Sequence, residues 1–309
     1  MSKPYHSGFL FVYKPPGITS SDLVLKTKRI LGQKSVGHTG TLDRFAEGLL
    51  ILPCGDYTAF SQVFLGKDKT YLAEVIVGLR TDSGDPDGVV EVDERETILP
   101  RFESEFPINR LDAELESLTK QKTQKAPKIS ALKVGGKRQS DLFREGTVVE
   151  EKERAITIHS VRDIQRTKEG FSFRIHVSSG TYIRKIILDL SEKWGIPLSL
   201  GKLVRESIGE YDLNGVKTFD QISDKDLKNW KEVFPLPTRI VDETEKKAVI
   251  HGGYIWDKLP KPVENGFYIV DADEKTILAW CDYEGKPDHI PYRYRKVFFD
   301  PSAKIMFSK

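Results

Sequence analysis

Asp43 closes a run of small and hydroxyl-bearing residues, Gly37-His38-Thr39-Gly40-Thr41-Leu42-Asp43. Two glycines permit a tight backbone there. An aspartate presented at a loop end, ahead of the apolar residues 49–53, could act as a nucleophile or take a proton. Aspartate is also a common turn residue, so the loop alone leaves both roles open. His38 could seat a polar ligand or be an ordinary loop histidine. Gly180-Thr181-Tyr182-Ile183-Arg184 opens a strongly amphipathic segment. An arginine held near an exposed carboxylate favours its charged form; an exposed helical arginine is the plainer alternative. Tyr71 follows a bend with Lys67 and Lys69, the composition of a base-stacking platform or simply of an edge strand.

Other chemistries lack their residues. Gly135-Gly136-Lys137-Arg138 does not have phosphate-loop spacing, and no Gly-x-Ser-x-Gly elbow exists. No His/Cys/carboxylate cluster has zinc spacing, so a metal is not expected. Residues 83–94 imitate a calcium loop only in part. Ser83 stands where aspartate is needed and the flanks read as strands, so a turn is the better reading. Two cysteines, Cys54 and Cys281, are too few for a disulfide framework and suggest a reducing compartment. With no signal-like leader and no long apolar run, the expectation is a soluble, cytoplasmic protein.

These residues need a frame. The 309 residues are 39% hydrophobic, enough for a substantial core. Residues 8–13 and 49–53 read as buried strands. Residues 22–31 read as a helix capped by Ser20 or Ser21 and stopped at Gly32, with further helices over 57–65, 110–119 and 181–194. Residues 71–77, 155–164 and 171–177 alternate as strands do, the last two joined as a hairpin. Hairpins mixed with helices, without regular βαβ alternation, predict an α+β fold. Prolines and short strands after Trp230 mark a small β-rich domain, giving expected domains of 1–232 and 233–309. Net charge is only +2, yet residues 117–140 hold seven basic and no acidic residues. Such a patch fits a polyanion on one side, or is a solvated lysine face.

Taken in order, the segments resemble the bacterial tRNA pseudouridine-55 synthase (TruB) family. They are Lys14-Pro15-x-Gly17, the Gly37–Asp43 loop, Asp68-Lys69-x-Tyr71, Gly78-x-x-Thr81-Asp82-x-x-Asp85-x-x-Gly88, Ser130-Ala131-Leu132-Lys133, Gly180-Thr181-Tyr182-Ile183-Arg184 and Leu203-x-Arg205. The resemblance runs from about residue 8 to 215. Arg44 departs from it, standing where the family usually has proline.

The resemblance implies a pseudouridine synthase fold: a mixed, mainly antiparallel central sheet flanked by helices, followed by a small PUA-like domain. It implies isomerisation of uridine 55 in the tRNA T stem-loop, with Asp43 as the catalytic carboxylate and no cofactor. His38, Tyr71, Tyr182, Arg184 and Leu203 become the expected substrate-binding residues. Lys14, Lys69, Lys125, Lys128, Lys133, Lys137 and Arg205 become the expected RNA contacts. A monomer that needs no protein partner is expected.

Overall fold

The computed structural model describes residues 7–125, 133–134, 137–138, 153–284 and 292–298, the two short pairs by backbone only. The chain forms two compact units, one from Leu10–Leu227 and one from Ser7–Phe9 with the residues from Lys228 on. The architecture is α+β, as the sequence predicts.

The first unit is built on β1 (Gly8–Lys14), β2 (Glu47–Cys54) and β3 (Lys69–Val77). Three two-stranded pairs follow. The pair β4 (Leu79–Thr81) and β5 (Val90–Asp93) leaves the end of β3. Further on come β6 (Thr123–Lys125), β7 (Lys133–Val134), β8 (Lys137–Arg138) and β9 (Glu153–Ala155), pairing as β6–β9 and β7–β8. The strands β10 (Ile158–Thr167), β11 (Gly170–Val177), β12 (Leu198–Ile208) and β13 (Lys217–Thr218) complete the main sheet. Its order is β10-β11-β3-β12-β2-β1-β13. The contacts of β3 with β11 and β12 are antiparallel, while β12–β2 and β1–β13 are parallel.

Alternation on β3 buries Tyr71, Ala73, Val75 and Val77, and β11 buries Phe171, Phe173, Ile175 and Val177. Onto them pack Phe102 of α3 (Arg95–Glu105), Leu111 and Leu115 of α4 (Ile108–Glu116), and the Ile183, Ile186, Ile187 and Leu190 stripe of α5 (Ile183–Trp194). Each large aliphatic side chain so buried contributes about 1.5–3 kcal/mol. A second cluster joins Leu23 and Leu31 of α1 (Ser20–Leu31) to Leu10, Val12, Leu50 and Leu52. The helix α1 is capped by Thr19, in a reciprocal box with Asp22, rather than by Ser20 or Ser21. The segment expected as one helix over 57–65 splits into a 3₁₀ turn, Gly55–Phe60, and α2 (Ser61–Gly66).

Strand β12 is central yet does not alternate, because its register against β3 shifts between Leu200 and Lys202 and again between Arg205 and Ser207. These bulges give a continuous buried run from Leu203 to Arg205. Arg205 thereby lies directly across from Tyr71 on β3 and beside Gly48 on β2.

The second unit carries the four-stranded sheet β14 (Thr238–Ile240), β15 (Phe267–Val270), β16 (Ile277–Tyr283) and β17 (Tyr292–Val297). Val241, Val249, Phe267, Ile269, Leu278 and Tyr292 form its core. No helix among the described residues is long and apolar enough to cross a membrane.

Candidate active site

The Asp43 loop is pinned along its length. Thr39 donates twice to the Ile51 carbonyl, through its backbone N–H and its hydroxyl. The Ser20 hydroxyl accepts from Leu42 N–H at 2.9 Å, just before Asp43. On the other side, the Arg44 carbonyl accepts from Gly17 N–H and from Lys14 Nζ. Both neighbours of Asp43 are therefore held by other elements, and its own side chain remains 40% exposed.

Arg184 sits in the first turn of α5 and is 5% exposed. Its Nε donates to Asp43 Oδ2 at 3.1 Å and its Nη2 to Asp43 Oδ1 at 3.2 Å. This two-point fork fixes the plane of the carboxylate as well as balancing its charge. The same guanidinium is anchored from behind: Nη1 donates to the Ser83 carbonyl, and Nε lies 3.2 Å from Asp85 Oδ2. Asp85 is buried, accepts from the Ser83 hydroxyl and from Asp87 N–H, and its carboxyl is pushed up by burial, with Arg184 pulling it back. One buried arginine thus bridges an exposed and a hidden carboxylate. In the turn that partly imitates a calcium loop, Asp85 is used on Arg184 and the Asp87 N–H, and Asp82 on the Val89 N–H.

The cleft in front of Asp43 has a volume of about 340 Å³. Tyr71, Tyr182, Arg184 and Leu203 line it with Asp43, so five of the six residues expected to be catalytic or substrate-binding converge. An apolar wall, a phenol and one oriented carboxylate suit a flat, polar ring held beside a reacting sugar. His38, the sixth, is half-buried and does not line the cleft. Its Nδ1 is buried with no protein partner, and burial, aided by the Arg205 charge, lowers its pKa.

Three of the expected RNA contacts are buried around the site. Arg205 is 1% exposed and is among the residues that line the cleft. Its Nε donates to the Leu49 carbonyl, its Nη2 to the Gly40 carbonyl, and it hydrogen-bonds Tyr71. Lys14 is fully buried, with Nζ donating to the carbonyls of Pro15, Ile18 and Arg44. Lys69 is also buried, donating to the carbonyls of Phe64, Leu65 and Lys67. All three cross-link loops around the site. Lys125 is exposed. Lys128 and the side chains of Lys133 and Lys137 lie outside the described residues. Arg44 does not compete for Asp43: its Nε donates to the Gly17 carbonyl at 3.0 Å and its side chain is exposed.

Sequence reasoning missed Asp85, Ser20 and Gln124 as parts of this site. Each works through tertiary contacts of 22 or more residues' separation, or through Arg184, and no local spacing announces that. It also missed a cluster of Asp68, His159 and His176, whose donor atoms lie within 4.8 Å of one another. A β-bulge sets His159 and Ser160 against His176. His159 lies 3.0 Å from Asp68, and both side chains are more than a third exposed, so an ordinary surface pair accounts for the grouping.

Residues 28–183 match the model of the TruB family pseudouridylate synthase N-terminal domain. The tRNA pseudouridine synthase B of Leptospira interrogans is 44% identical over 94% of both chains. The chain belongs to the TruB family. The Bacillus thuringiensis tRNA pseudouridine synthase B is 33% identical, over 91% of this chain and 94% of that one. Among solved structures, an H/ACA RNP bound to a substrate RNA containing 2'-deoxyuridine aligns with TM-score 0.63 at 19% identity, over 95% of this chain and 85% of that one. That likeness bears on the fold, which is the pseudouridine synthase fold. As a TruB family member the chain is an isomerase of the pseudouridine synthase class.

Proposed function

We propose that the chain converts uridine 55 in the T loop of tRNA to pseudouridine. The single observation that carries this reading is an exposed Asp43 held in bidentate fashion by a buried arginine at the mouth of an aromatic-lined cleft. The relatives' names, tRNA pseudouridine synthase B, supply the substrate class.

The reaction breaks the C1′–N1 bond, turns the base and joins C1′ to C5. There is no net redox change and no hydrolysis, so side chains suffice and no cofactor is required. The target uridine leaves its stack to enter the cleft, at a cost of about a few kcal/mol that stacking and hydrogen bonds in the pocket offset. Tyr71 stacks on the base and receives the C5 proton late in the cycle, while Leu203 packs beneath it. Asp43 opens the reaction at the ribose, by attack at C1′ or by removal of the C2′ proton. Either route needs the carboxylate fixed in plane by Arg184. His38, neutral through burial, helps seat the extruded nucleotide. Lys125, Lys128, Lys133 and Lys137, joined by Arg44 beside the loop, hold RNA phosphates. The second unit serves as a PUA-like RNA contact. The enzyme works in the cytoplasm as a monomer and needs no protein partner.

The test is modification of a synthetic T stem-loop, mapped by carbodiimide adduct and reverse transcription. The reading predicts one new stop, immediately 3′ of the uridine equivalent to uridine 55. A stop elsewhere, or none, refutes the assigned target.

A further inference from the structure

Helix α5 carries two site residues at its start, Tyr182 as the N-cap and Arg184 in the first turn, yet the Tyr182 side chain does not cap it. The restraint comes from another element. Gln124, the middle residue of β6, is 4% exposed. Its Oε1 accepts from Tyr182 N–H at 2.9 Å, and its Nε2 donates to the Tyr182 carbonyl at 3.0 Å. A single side-chain amide therefore grips both polar groups of one residue, 58 positions away in sequence. A flipped amide would face donor to donor and acceptor to acceptor, so both bonds fix one orientation.

Accepting the N-cap N–H is the task a Glu or Gln at the third helical position performs in a capping box. Here a strand residue performs it from outside the helix. The second bond, to the carbonyl that begins the helical ladder, fixes the direction in which α5 leaves. Ile183 and Arg184 follow directly, and Arg184 carries the fork on Asp43. Gln124 is itself set by β6–β9 pairing, in which it faces Arg154.

We infer that Gln124 is a positioning residue for the isomerisation: it sets Tyr182 and Arg184 against Asp43 without touching the substrate. The inference rests on the function proposed above. Gln124 acts on the geometry of the chemical step and not on the phosphate contacts, so its loss separates rate from affinity.

The experiment measures single-turnover pseudouridine formation with saturating full-length enzyme, equilibrium affinity for unmodified tRNA, and thermal melting. Gln124→Ala is expected to slow the single-turnover step by about ten- to a hundredfold, the scale of an ångström-level misplacement, with affinity unchanged and a lower melting temperature, since two buried backbone groups lose their partner. Gln124→Glu supplies the second arm. A buried carboxylate facing the Tyr182 carbonyl is driven to its protonated form, and that form both donates and accepts as glutamine does. Its rate relative to wild type at the same pH is expected to recover as pH falls. This arm decides the matter if the alanine variant does not fold.

An alanine variant as fast as wild type overturns the inference. So does a rate loss matched by a loss of affinity, or a Glu-to-wild-type ratio that stays low as pH falls. Failure of the wild-type enzyme itself to form pseudouridine refutes the proposed function instead.

Discussion

Three charged side chains define the chemistry, and only one of them faces the cleft as an acid. Asp43 and Arg184 were both legible in the sequence, because each closes or opens a motif of distinctive composition. Asp85 was not, since an aspartate between Gly84 and Pro86 is indistinguishable from any turn acid until the fold sets it 3.2 Å from Arg184. Asp85→Asn keeps the shape and removes the buried charge that anchors the guanidinium from behind. The single-turnover rate should fall by about ten- to a hundredfold while tRNA affinity holds; a variant with wild-type rate would show that Asp43 alone fixes Arg184. The buried lysines make a second prediction. Burial lowers both Lys14 and Lys69 from 10.5 to about 8. The unfolded chain then binds more protons than the folded one between about pH 8 and 10.5, so this part of the stability rises with pH across that window and is absent below it. Urea unfolding at about pH 7.5 and 9.5 should show wild type gaining stability relative to Lys69→Met. Equal pH dependence in the two proteins would contradict a buried, carbonyl-bound ammonium.

At the scale of elements, the site depends on the junction of β2, β3 and β12. Strand β3 was plain from its alternation. Strand β12 escaped, because two register shifts replace alternation with a continuous buried run, and period-2 reasoning has nothing to grip. Helix α3 escaped for a different reason: Pro100 lies inside it and only Phe102 is fully buried, so the apolar stripe is nearly absent. The burial of Arg205 was hidden for the same cause as β12. An arginine in an unrecognised strand looks like surface charge, whereas here it ties Leu49, Gly40 and Tyr71 together. The close approach of β2 to β12 makes Gly48 specific. Its φ is +111°, and a Cβ there would fall 2.3 Å from the Arg205 carbonyl oxygen. Gly48→Ala should therefore destabilise the enzyme by more than about 1 kcal/mol and cut turnover, since the strain passes to the Gly40 loop. Thermal melting with a matched activity assay checks this, and a neutral substitution would refute the junction as described.

For the whole molecule, the α+β class and the ordered motifs could be read directly, because hairpin alternation and amphipathic helices are local properties. The RNA-facing surface could not. Charge counted along a sequence does not distinguish Lys125, which is exposed, from Lys14 and Lys69, which spend their ammonium groups on backbone carbonyls. The convergence of distant segments on one carboxylate carries the functional reading. That convergence has a direct test: tritium release from tRNA labelled at uridine C5, under single-turnover conditions, for wild type and Asp43→Asn. Re-joining the base through C5 frees that hydrogen. Wild type should therefore release label in step with product, and Asp43→Asn should release none above background while still binding tRNA. Release by the asparagine variant at near wild-type rate would remove Asp43 from the centre of the mechanism.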